Sequence, residues 1–118
     1  SFFEDEFRTP VDYRTAAAIL ERLVVSGATG IVHVGGRERL SRFELMRRAA
    51  IVRGLDPDLV RANRQADHPA PEPRPADVSL DTTRLATLLP GLERPGIENA
   101  LDETDPLGGS AATTPSPA

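Results

Sequence analysis

Two arginines stand where a guanidinium has more to do than wet the face of a helix. Arg8 precedes Thr9-Pro10, and Arg74 lies between Pro73 and Pro75. Proline fixes its own φ and pushes the residue before it into extended backbone, so both arginines sit on constrained, non-helical chain. Two such guanidiniums converging on one point would grip a diphosphate through bidentate, charge-assisted hydrogen bonds. The competing reading, two solvated surface arginines, fits the same spacing. Asp77 follows three residues after Arg74 and could orient it, whereas Asp81 suits a helix cap better. The candidate substrate-binding set is therefore Arg8, Arg74 and Asp77.

The other reactive side chains offer less. His33 lies inside an apolar stretch, as a core histidine bonded to backbone or as a base, but no Ser or Asp stands at a supporting spacing. His68 has no second histidine four residues on, so a zinc motif is not formed. Gly35-Gly36-Arg37 precedes a helix, yet neither G-x-G-x-x-G nor a Walker A motif is present, and a plain turn is the simpler reading. There is no cysteine, hence no thiolate and no disulfide. All fourteen basic residues are arginine, so no lysine is available as a base or as a Schiff-base amine. No residue qualifies as a catalytic or metal-binding candidate.

The elements that must position these groups centre on residues 30 to 54. Ile31 to Val34 is a short apolar, β-branched run, the pattern of a covered strand. Gly35-Gly36 turns the chain. Leu40-Ser41-Arg42-Phe43-Glu44-Leu45 carries a capping box and a hydrophobic staple, opening a helix that runs to about Arg53 with Gly54 as its left-handed stop. Upstream, the phenylalanines of residues 1 to 8 suggest a loop and an edge strand. Asp12 is a good N-cap, and Ala16, Ile19, Leu20, Leu23 and Val24 fall on one face of a helix over about 13 to 26, closed by Gly27. Downstream, Asp56-Pro57 starts a single turn, and Val60 to Asn63 reads as a second short strand. Four prolines exclude regular structure from Gln65 to Pro75. Val78 to Leu80 is extended, Asp81 caps a helix over about 82 to 89, and Pro95 opens a last turn carrying Ile97 and Leu101.

The 118-residue chain fits one domain or part of one. Two strands and three or four helices define a small α/β class, and an isolated strand pair is marginal in water. The net charge of −4 argues against a nucleic-acid footprint, and no apolar run approaches the ~20 residues of a membrane span. The absence of cysteine and of a signal segment fits a cytoplasmic location. Residues 1–104 form the expected ordered region, and 105–118 read as a disordered tail. The chain opens at Ser1 in mid-pattern, so a piece lacking an N-terminal part is expected.

Three blocks, taken in order, resemble one family. FRTPVDYRTAAAIL resembles the segment that follows the tyrosine-lysine motif of extended short-chain dehydrogenase/reductases. GIVHVGGRERLSRFELMRRAA is similar to that family's strand, glycine turn and capped helix, and RPADVSLDTTRL to its late R-P-x-D motif. The dTDP-4-dehydrorhamnose reductase branch is nearest by pattern. The resemblance implies the C-terminal, substrate-binding part of an extended Rossmann-type reductase that lacks the main parallel sheet. NAD(P) would then bind a missing N-terminal Rossmann domain, the natural partner of this chain in the same protein, and a homodimer of the full-length protein is a further expectation. Arg8 and Arg74 match family positions that contact the diphosphate of a nucleotide sugar. The catalytic pair is not matched, since Tyr13 has Ala17 four residues on. The implied function is the substrate-binding portion of an NAD(P)H-dependent reductase of a 4-keto-deoxysugar nucleotide such as dTDP-4-dehydrorhamnose. The alternatives are a non-catalytic binding subunit of the same fold, as in the similar regulatory subunit of methionine adenosyltransferase, or a stand-alone small interaction module.

Overall fold

The chain carries its helices where the caps require them and its strands where two residues happen to meet. A computed structural model describes residues 1–103; the expected tail at 105–118 lies outside the described residues. The elements run β1 (Phe2–Phe3), β2 (Phe7–Arg8), α1 (Tyr13–Ser26), β3 (Leu40–Ser41), α2 (Arg42–Val52), β4 (Ala62–Asn63), α3 (Thr83–Leu88) and α4 (Ile97–Glu103). The architecture is a small α/β assembly of four helices and two two-stranded sheets, one pairing β1 with β4 in parallel, the other β2 with β3 antiparallel.

The helix ends follow from local chemistry. The Asp12 carboxylate accepts the Thr15 N–H at 3.1 Å to open α1, and Gly27, at φ 71°, closes it. Ser41 Oγ accepts the Glu44 N–H at 3.0 Å to open α2. The reciprocal half of the expected capping box does not form. Ser41 is paired with Phe7 in the β2–β3 ladder, and the Glu44 carboxylate accepts from Arg48 Nε instead. The other end of α2 is a Schellman motif: Leu55 N–H reaches the Ala50 carbonyl, Gly54 N–H reaches that of Ile51, and Gly54 sits at φ 72°. Asp81 accepts both the N–H and the hydroxyl of Thr83 at the start of α3.

One apolar nucleus joins α1 to α3: Ile19 and Leu85 are fully buried, Leu89 lies with them, and Leu23, Val32, Val34, Leu88 and Leu92 pack around them. Leu40, Ala50, Ile97 and Ala100 are also buried, and α2 packs against α4. Burying a side chain the size of Ile or Leu contributes about 1.5–3 kcal/mol.

Several expectations are corrected here. Residues 31–34 form no strand, since they pair with no other described strand. Val32 and Val34 pack on the Ile19–Leu85 nucleus while Ile31 is 82% exposed. The Arg84 guanidinium caps the open edge by donating to the carbonyls of Thr29 and Ile31, each at 2.7 Å. His33 alternates outward and is exposed, not a core histidine. The apolar set of α1 also divides: Ile19 and Leu23 turn inward, but Leu20 and Val24 are exposed. The proline-rich stretch contains one 3-10 turn, Gln65–Asp67.

Candidate functional site

Glu6 is the residue on which the candidate side chains meet. It lies between two strands of opposite pairing, so three remote segments are brought to it by backbone geometry alone. On its N-terminal side, β1 runs parallel to β4 with Phe3 opposite Asn63. That register carries Gln65 alongside, where its N–H lies 3.2 Å from the Asp5 carboxylate and its amide donates to Glu6 Oε2 at 3.0 Å. On its C-terminal side, Phe7 bridges in parallel to Asp77, with Phe7 N–H donating to the Ala76 carbonyl and Val78 N–H to that of Phe7. Arg74, three residues before Asp77, is thereby delivered to the carboxylate. The third segment arrives through the backbone of Glu6 itself, whose carbonyl accepts the Arg42 N–H at 3.0 Å.

The Glu6 side chain is fully buried. Arg74 Nε donates to Oε2 at 2.7 Å, and its Nη2 lies 3.4 Å from Oε1. Arg8 Nη2 stands 3.6 Å from Oε1 and Arg42 Nη1 3.9 Å from the same oxygen. The hydrogen bond from Arg74 is the main reason the Glu6 carboxyl is held below its ordinary value. Burial opposes the shift, and Gln65 and the charges of Arg74 and Arg42 reinforce it. The same contact raises the Arg74 guanidinium.

Arg8 and Arg42 also line a cleft of about 450 Å³, whose other wall is apolar, with Leu45, Met46, Val78 and Leu80 among its residues. This volume lies within the range of small-molecule sites, which typically combine apolar walls with a few polar anchors. Arg74 is not in the lining; it bonds to Glu6, and its guanidinium carbon lies 5.0 Å from the Phe3 ring centroid.

Of the sequence-predicted residues, Arg8 and Arg74 are thus brought to one carboxylate. Asp77 does not orient Arg74. It accepts from Arg39 Nε at 3.1 Å and Nη2 at 2.7 Å, and from the Ser79 N–H and hydroxyl. These contacts hold its carboxyl far below the ordinary range, Arg39 first. Arg39 in turn lies 3.8 Å over the Phe7 ring centroid. Glu6 and Arg42 went unforeseen. Glu6 read as one acid in a run, and Arg42 as the first residue of a capped helix; the convergence depends on strand pairs too short to leave a periodic signal.

The glycine pair is not a phosphate cradle. Gly35 and Gly36 are both buried, and the chain at Thr9–Pro10 crosses directly over them, with Gly36 N–H donating to the Thr9 carbonyl. A Cβ on Gly36 would overlap the Pro10 carbonyl oxygen. The space that a phosphate would need over this pair is already filled by this chain's own backbone. Among the described residues, no group of three or more His, Asp or Glu is placed to hold a metal ion. No helix among them is long and apolar enough to cross a membrane.

A family model described as the RmlD substrate binding domain matches residues 1–104. No curated protein matches the chain, and neither does any solved structure.

Proposed function

The chain belongs to the RmlD substrate-binding-domain family, a family of sugar-nucleotide reductases, and from that premise we propose that its arginine-lined cleft receives the diphosphate of a nucleotide sugar. The reaction served is the NAD(P)H-dependent reduction of a 4-keto-deoxysugar nucleotide such as dTDP-4-dehydrorhamnose. The observation that carries this reading is the place of Arg8 in the lining of an apolar-walled cleft, beside the Glu6 carboxylate that Arg74 also holds. Guanidiniums bind diphosphate oxygens, and the apolar wall suits the flat faces of a sugar or a base.

This chain contributes substrate binding, not the chemical step. It has no lysine, and its glycine pair is closed by Thr9–Pro10. Hydride transfer and protonation of the ketone oxygen therefore belong to residues other than these. A Rossmann domain of the same protein is the proposed partner. Two features favour such a neighbour: the unpaired segment 31–34, and the exposed apolar stripe of Tyr13, Leu20 and Val24 on α1.

The test is NAD(P)H consumption by the intact protein with a 4-keto-6-deoxysugar nucleotide. Turnover is expected, and Arg8→Ala should raise KM by about tenfold or more while leaving kcat nearly unchanged, as for loss of a hydrogen bond to a charged group; Arg74→Ala, which removes a partner of Glu6 and not a residue of the cleft lining, should raise KM by less. Kinetics unchanged in both variants would remove these arginines from the site. Nucleotide-sugar binding without turnover would favour the non-catalytic subunit of the same fold.

A further inference from the structure

The cluster around Glu6 holds more positive charge than it neutralises. Three guanidiniums lie within 4 Å of one buried carboxylate, a surplus of two positive charges in that contact shell, which the neighbouring Asp5 carboxylate reduces to one. Neighbouring acids are engaged elsewhere. Glu4 pairs with Arg64 at 2.8 Å, Asp77 with Arg39 at 2.7 Å, and Asp5 accepts from the Gln65 backbone. The three arginines are also held unequally. Arg74 makes a short, direct hydrogen bond to Glu6. Arg8 and Arg42 stand at 3.6 and 3.9 Å, beyond a good hydrogen bond, and both line the cleft. The Arg8 Nη1 donor is turned to the Phe7 carbonyl at 2.8 Å, whereas Arg42 makes no side-chain hydrogen bond among the described residues. Its side chain is 45% exposed, yet its backbone is fixed by the bond to the Glu6 carbonyl.

We propose that Arg42 is a second diphosphate-binding arginine, lining the same cleft as Arg8, and that Glu6 is the positioning residue that aims the pair. This rests on the diphosphate reading above and deepens it. The carboxylate holds three like charges close together, and an incoming dianion relieves their remaining mutual repulsion with direct bonds to Arg8 and Arg42. Arg74, bonded to Glu6 at 2.7 Å, anchors the carboxylate. A buried glutamate among arginines could instead be only a competitor for the anion, and the two roles predict opposite signs.

The experiment is calorimetric titration of inorganic pyrophosphate into the intact protein, paired with KM and kcat for the sugar nucleotide. Arg42→Gln should weaken pyrophosphate about tenfold or more, in line with a hydrogen bond to a charged group, and raise KM without lowering kcat. Arg42→Lys should restore part of the loss. Arg47→Gln, one turn away and paired with Asp58, should change nothing. Glu6→Gln, nearly the same in shape, should weaken pyrophosphate, whereas a mere competitor would be relieved and bind it more tightly. Pyrophosphate binding that is absent in the parent, unaffected by Arg42→Gln, or strengthened by Glu6→Gln overturns the proposal. The reductase reading fails separately: NAD(P)H is then not consumed, while the pyrophosphate results stand.

Discussion

Replacing Gly36 by alanine tests whether the site depends on the crossing of two backbones. Gly36 does not need a left-handed φ, unlike Gly27 or Gly54. It needs the space of its missing side chain. A methyl group there would overlap the Pro10 carbonyl oxygen and lie 3.0 Å from its carbonyl carbon. Relief requires the two chains to part by about 1 Å, since neither neighbour is a flexible side chain. Overpacking ordinarily costs about 1–3 kcal/mol, and a clash against backbone belongs at or above the top of that range, about 3 kcal/mol. At about 4–8 °C per kcal/mol for a domain of this size, the midpoint should fall by about 12 °C or more. Gly27→Ala is the control. Its φ of 71° is strained for alanine, but nothing lies within 4 Å, so the cost is about 1–2 kcal/mol. Thr9 and Pro10 follow Arg8 directly, so the displacement should also weaken pyrophosphate binding, which Gly27→Ala should spare. The assay is urea or thermal denaturation of the intact protein, with pyrophosphate titration of each variant. A Gly36→Ala protein less destabilised than Gly27→Ala would refute the reasoning.

Two further outcomes are expected. Ser41→Ala removes the cap on the Glu44 N–H and should cost about 1 kcal/mol in chemical denaturation, with sugar-nucleotide KM unmoved; a changed KM would mean that the cap also shapes the cleft. Stability should be level near neutrality and fall as pH drops below about 4.5, because Arg74 holds Glu6, and Arg48 holds Glu38, below their ordinary values, so the unfolded chain takes up protons first. Glu6→Gln and Glu38→Gln should each flatten that acid limb, and a limb unchanged in both would sink the assignment.

What could be read from the sequence was whatever a handful of adjacent residues decides. Asp12 and Ser41 as caps, Gly27 and Gly54 as stops and the extents of α1 and α2 each depend on one turn of chain, and they stand as expected. The strands were another matter. β1, β2, β3 and β4 are two residues each, too short for an alternating pattern, and each pairing depends on a segment remote in sequence. Ile31 to Val34 shows the reverse error, since its β-branched run promised a strand but composition does not supply a neighbour to pair with. Leu20 and Val24 followed the helical period correctly, yet period identifies a stripe without saying which part of it is covered. The constrained backbone of Arg8 and Arg74 is legible from their prolines, but the Glu6 carboxylate on which both stand is not. Asp77 was assigned by proximity in sequence, and the parallel bridge to Phe7 sends its carboxylate to Arg39 instead.

Glu6 explains why the site and the fold close together. Its carbonyl fixes the start of α2 through Arg42, its carboxylate draws in Arg74 from the proline-rich segment, and the adjacent Phe7 bridges to Asp77 on the same stretch. That segment has few apolar anchors of its own, since residues 69–77 are exposed throughout. It is held by the polar contacts of Arg74 and Asp77 and by the Phe7 bridge. A buried ion pair is weak evidence for stability in itself, because desolvation offsets much of the attraction. A carboxylate placed among three arginines is better understood as the means of gathering cations that would otherwise repel one another.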